Sequence, residues 1–232
     1  MNQLAQVLNP EYGLRVPCML VLNVSEHTPS HPNGAPAPRI EEMRRGLLLL
    51  KQALCDQKAV STRVQLAILH GTGPSQSAEL LVDWTEAHSF EVPALRATCA
   101  TPLAQGMRLA LHHVDRQRTV LNQHGIPYLR PWIVLISDGQ APDVPETWAR
   151  VAEECRAAEQ ARRCIIFPIA LDGENREALQ DLSTTRVASV TTADLGHCFN
   201  WLSTSLACMS QSRLGDAVKL PPTDKWATFP PH

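Results

Sequence analysis

Short, nearly continuous apolar runs recur along the chain. Residues 18–24 (CMLVLNV) form the first, 64–69 (VQLAIL) the second and 80–84 a weaker third. Residues 132–136 (WIVLI) and 164–170 (CIIFPIA) follow, and 187–190 make a short last run. Unbroken apolar runs of this length predict strands covered on both faces, as in a parallel sheet. Pro168 lies inside the fifth run. Proline cannot donate to a ladder, so an edge or bulge is expected there.

Between the runs the apolar period lengthens. Ile40, Met43, Leu47, Leu50 and Leu54 recur at spacings of three and four, which makes one helical stripe. Leu103, Met107, Ala110, Leu111 and Val114 make a second, and Trp148, Val151, Ala152 and Cys155 a third. Residues 175–182 predict a short helix, and Phe199, Leu202 and Leu206 mark a last one. Strands alternating with helices predict an α/β fold: a Rossmann-like, doubly wound, mainly parallel sheet flanked by helices. Thr101 is placed to cap the second helix, with Pro102 as its first residue.

The pattern sets the expected organisation. Residues 1–16 read as an N-terminal extension, 17–212 as the domain and 213–232 as a proline-rich tail. Residues 25–39 carry four prolines and one glycine, which predicts a long loop directly after the first strand. Trp84, Trp132, Trp148 and Trp201 fall in predicted elements and are expected to pack. Trp226 in the tail has two readings: docking on a partner, or folding back on its own domain.

Composition narrows the function classes. A net charge of −2 argues against nucleic acid and against an anionic membrane surface as partners. The seven cysteines show no paired metal or redox spacing and lie in apolar segments. They read as reduced, mostly buried thiols, which with no evident leader predicts a cytoplasmic protein.

In an open α/β sheet the ligand side lies beyond the carboxyl ends of the strands. The first strand ends in Asn23-Val24-Ser25-Glu26-His27, and the strand from Trp132 runs into Ser137-Asp138-Gly139-Gln140. Between them lies Thr101 at a helix start. These pieces resemble the von Willebrand factor A family, which carries Asp-x-Ser-x-Ser after its first strand, a Thr before its central helix and an Asp-Gly after its fourth strand. In that family they form a metal-ion-dependent adhesion site. Ser25, Thr101 and Asp138 match it by position and would be the metal ligands if the site holds an ion. Asn23 stands for the first aspartate and His27 for the second serine. Asn23 removes a charge, and His27 offers a softer nitrogen than magnesium prefers. The expectation is therefore a degenerate site with no cofactor.

The resemblance has a closer form. The segments Thr-Pro-Leu-Ala-Gln-Gly-Met and Ile-Ser-Asp-Gly-Gln-Ala-Pro-Asp, the Cys198 to Ser205 segment and Leu220-Pro221-Pro222 look like TerY-like tellurium-resistance proteins. That resemblance implies a non-catalytic protein-interaction module of a bacterial stress or phage-response system. It also implies a PP2C-type phosphatase and a protein kinase as partners. The expected partner face comprises Asn23, Ser25, His27, Thr101, Asp138, Gln140 and Asp143.

Rival classes have weaker signals. A metal-dependent adhesion domain, with magnesium or zinc, needs the degenerate site or His27 with His70 or His31, whose spacing matches no known zinc pattern. A hydrolase using Ser25, His27 and Asp138 lacks a G-x-S-x-G elbow. Gly71-Thr72-Gly73 is a lone G-x-G and reads as a turn.

Overall fold

The first strand, β1 (Val16–Asn23), is buried along its whole length. A computed structural model describes residues 13–23, 38–72, 77–95, 102–138, 143–173, 176–223 and 226–227. After β1 come α1 (Pro38–Cys55), α2 (Lys58–Arg63), β2 (Val64–Thr72) and β3 (Ser77–Glu86). Then follow α3 (Leu103–Gln123), β4 (Trp132–Ser137), α4 (Pro145–Gln160), β5 (Ile165–Leu171), α5 (Arg176–Gln180), β6 (Ala188–Val190) and α6 (Leu195–Gln211). The six strands form one sheet in the order β3-β2-β1-β4-β5-β6. All neighbours are parallel except β3, which pairs antiparallel with β2.

Alternation along β1 explains the two layers. Cys18, Leu20 and Leu22 face one core with Met43, Leu47 and Leu50 of α1 and Phe199, Leu202 and Leu206 of α6. Met19 and Val21 face the other, with Met107 and Ala110 of α3 and Val151 and Cys155 of α4. Each fully buried Leu, Met, Val or Phe among them contributes about 1.5–3 kcal/mol. Burial pushes the thiols of Cys155 and Cys164 up to about 12, so both are held protonated. Cys55 is exposed, and Cys99 lies outside the described residues.

Pro168 sits in register with Leu135 of β4, while β6 pairs with β5 only from Ile169 onward. The Ile165 N–H points to β4, bonding the Pro131 carbonyl, and the Ile166 N–H points away, to Glu159. By alternation, the donor that Pro168 lacks would face outward from β4, ahead of the first β6 pair. The proline therefore costs no bond to β4.

Three features depart from the sequence pattern. β3 is longer than the run 80–84 and is antiparallel. The six-residue α2 carries no apolar stripe, and its Ser61 and Thr62 hydroxyls bond back to the Lys58 carbonyl. The segment 25–39 is not loop to its end, because α1 begins at Pro38. Trp226 resolves to the second of its readings: it is buried against Trp201, with ring centroids 5.3 Å apart, and Trp201 Nε1 donates to the Pro221 carbonyl at 2.9 Å. Among the described residues no helix is long and apolar enough to cross a membrane.

His113 gives a pH prediction. It is buried on α3 while its neighbour His112 is exposed. Burial lowers its pKa; His112 and Arg116 push the same way and Asp83 opposes them. The unfolded chain takes up a proton near pH 6.5 that the folded chain refuses, so stability falls as pH drops through and below that value. Urea midpoints at neutral and mildly acidic pH should differ in the wild type. The difference should shrink in His113→Gln.

Candidate functional site

The strand order places the switch point between β1 and β4, where the connections depart to opposite sides of the sheet. Asn23 and Ser137 are register partners at the carboxyl ends of these two strands. Asn23 Nδ2 donates to Ser137 Oγ at 3.3 Å, and the Asp138 N–H donates to the Asn23 carbonyl at 3.3 Å. Asp138, one residue past β4, is fully buried.

A carboxylate buried this completely needs a partner. Part of that need is met from α1. Arg39 Nη1 lies 3.6 Å from Asp138 Oδ2, and Arg39 Nη2 lies 2.9 Å from Asp172 Oδ2. Asp172 follows β5 directly and adopts φ 54°, a left-handed conformation that aspartate tolerates better than most residues. Its carboxylate accepts from the Thr192 N–H at 2.8 Å and the Thr192 hydroxyl at 2.9 Å. One guanidinium thus spans two carboxylates at the ends of neighbouring strands. The sequence pattern places Arg39 in a loop, whereas α1 begins at Pro38. No local signal marks it, because its partners Asp138 and Asp172 lie far along the chain.

Asp143 is placed by a different demand. Its Oδ2 accepts the Ala104 N–H at 3.1 Å, near the start of α3. It thereby satisfies one of the helix's orphan donors from 39 positions away in sequence. Pro102 stands just outside the helix rather than as its first residue. Asp143→Ala should lower stability by about 0.5–2 kcal/mol, as loss of a cap does. Asp143→Asn, which keeps an acceptor, should recover most of it in thermal unfolding.

Of the other expected site residues, Ser25, His27, Thr101 and Gln140 lie outside the described residues, as does His31. His70 is buried in β2, with Nδ1 2.8 Å from the Leu22 carbonyl, a contact that requires the proton on Nδ1. The structure therefore brings Asn23 and Asp138 together and adds Arg39 and Asp172.

No family model matches the chain, and no curated protein matches it in sequence. Solved structures do. The chain is similar to the vWF domain of the pilus tip protein Mfa5 from Porphyromonas gingivalis, at 13% identity and TM-score 0.59, covering 88% of this chain and 99% of that one. It is similar to the SpRpn10 VWA domain at 11% identity and TM-score 0.51, covering 78% and 93%. The fold is that of a von Willebrand factor A domain. The pilus adhesin SpaC from Lactobacillus rhamnosus GG shares it at 12% identity and TM-score 0.62, covering 84% of this chain. The chain spans 31% of SpaC and 48% of a mussel byssus matrix protein, PTMP1, that it also matches.

The vWA fold raises the question of a metal at this switch point. A hard divalent ion favours several oxygen ligands and net negative charge. The described donors fit it poorly. Asp138 is ion-paired with Arg39, and Asn23 is neutral, with its amide nitrogen committed to Ser137. Among the described residues no group of three or more His, Cys, Asp or Glu could hold a metal.

Proposed function

We propose that the chain is a non-catalytic protein-interaction module that binds its partner at the top of the sheet. The recognising residues are Asn23, Ser25, His27, Thr101, Asp138, Gln140 and Asp143, around a degenerate adhesion site. The observation that carries this reading is the convergence at the switch point. Asn23 ends β1, Asp138 follows β4, and Arg39 of α1 links Asp138 to Asp172 after β5, which fits a binding face better than a site for a reacting group.

The system we propose is a TerY-like stress or phage-response assembly in the cytoplasm, with a PP2C-type phosphatase and a protein kinase as partners. Support comes from the order of the sequence pieces and from the fold they share. Two pieces that carry the resemblance, Trp201 in the last helix and Pro221 in the tail, are joined by a hydrogen bond. Val144, 59% exposed directly before α4 and next to Asp143, offers an apolar contact to a partner. Co-purification of the tagged full chain from its native host tests the assembly. Enrichment of both a phosphatase and a kinase is expected. Recovery of the chain alone, or with a hydrolytic turnover that it performs itself, contradicts the reading.

A further inference from the structure

We infer that Arg39 supplies, as a fixed side-chain charge, the positive charge that a divalent ion would otherwise bring to the top of this sheet. The inference rests on the fold and on four side chains, and it holds whatever the partner is. Asp138 and Asp172 are like charges on adjacent strand ends, one of them fully buried. Two carboxylates so placed need a cation. The guanidinium suits the task because its planar fork presents separate N–H groups to separate acceptors. Its two terminal nitrogens do this, one toward each carboxylate.

The position of Arg39 fits the same account. It stands in the first turn of α1, where the helix dipole disfavours a cation. The arginine is therefore held there by the carboxylates rather than by its own helix. Its side chain is 23% exposed, so the charge is largely withdrawn from solvent and screened little by salt. A divalent ion arriving at Asp138 would meet this guanidinium and would have to displace it. Asn23, in the place of a further carboxylate, offers no charge to offset that cost. The vWA site is then permanently charged from within, and its geometry does not depend on cation supply.

The test uses the full chain stripped with chelator. Its thermal unfolding is followed as millimolar magnesium or manganese is added, against sodium chloride at equal ionic strength. The wild type should show no rise beyond the salt control. Arg39→Met should unfold at lower temperature without metal and gain several degrees with either ion. That gain should vanish when Asp138→Asn is added. If Arg39→Met is folded yet unresponsive, Arg39 is not the substitute and the inference fails. Manganese-induced water-proton relaxation of the wild type gives a second readout that needs no variant at Arg39. No enhancement is expected, and an enhancement abolished by Asp138→Asn overturns the inference.

Discussion

Glu159→Ala is expected to cost about 2–4 kcal/mol, because it removes the acceptor of the buried Ile166 N–H and of the part-buried Thr184 N–H at once. Glu159 lies in the last turn of α4 on its buried side and is 7% exposed. Its carboxylate accepts the Ile166 N–H at 2.8 Å, the Thr184 N–H at 2.6 Å and the Thr184 hydroxyl at 2.9 Å. The Ser183 hydroxyl lies 3.1 Å from the same carboxylate and 2.9 Å from the Ile166 carbonyl. One side chain therefore ties the start of β5 to the segment leading into β6. Alanine leaves two backbone N–H groups without their acceptor. Thermal unfolding should drop by roughly 4–16 °C at about 2–4 °C per kcal/mol for a chain of this size. Glu159→Gln keeps an acceptor and should lose less. Glu153→Ala, on the exposed face of the same helix, should be near neutral. An effect of Glu159→Ala no larger than that control would show that the network carries no stability.

Gly46→Ala is expected to destabilise by about 1–3 kcal/mol, although the same change in an exposed helix gains about 1 kcal/mol. A Cβ at Gly46 would stand 2.1 Å from Phe199 Cδ2 and 2.5 Å from Cε2. Phe199 is fully buried in the α1–α6 layer, so the ring has nowhere to rotate without opening the core. Gly46 thus sets how closely α1 approaches α6, and α1 carries Arg39. Shortening the ring should relieve the clash. The loss in Gly46→Ala/Phe199→Leu should be smaller than the sum of the two single losses, measured by urea unfolding.

Much of the fold was legible in the sequence because both cores sit on strands with continuous apolar runs. The runs at 18–24, 132–136 and 164–170 fall on β1, β4 and β5, and the stripe from Ile40 to Leu54 falls on α1. What escaped is physically distinct. α2 is too short to show a period, and its hydroxyls serve the backbone. β3 is an edge strand with one half-exposed face, so its run is broken by Glu79 and Asp83. The candidate site was legible only where a strand end fixed it, at Asn23 and Asp138. Arg39 and Asp172 come from α1 and from the end of β5, and pairings across that sequence distance leave no local pattern. Asp143 was visible as a polar residue, but its bond to Ala104 depends on how α3 and the segment after β4 meet.

The partner-binding face proposed for the top of the sheet is one that works without a metal ion. It is tested most directly by photo-crosslinking from two exposed apolar positions, Val144 at the top and Leu214 beyond the far end of α6, in chelator and in magnesium. The partner should be captured from position 144 in equal yield under both conditions and should not be captured from 214. Capture from 214 alone, or a yield from 144 that chelator abolishes and magnesium restores, would contradict it.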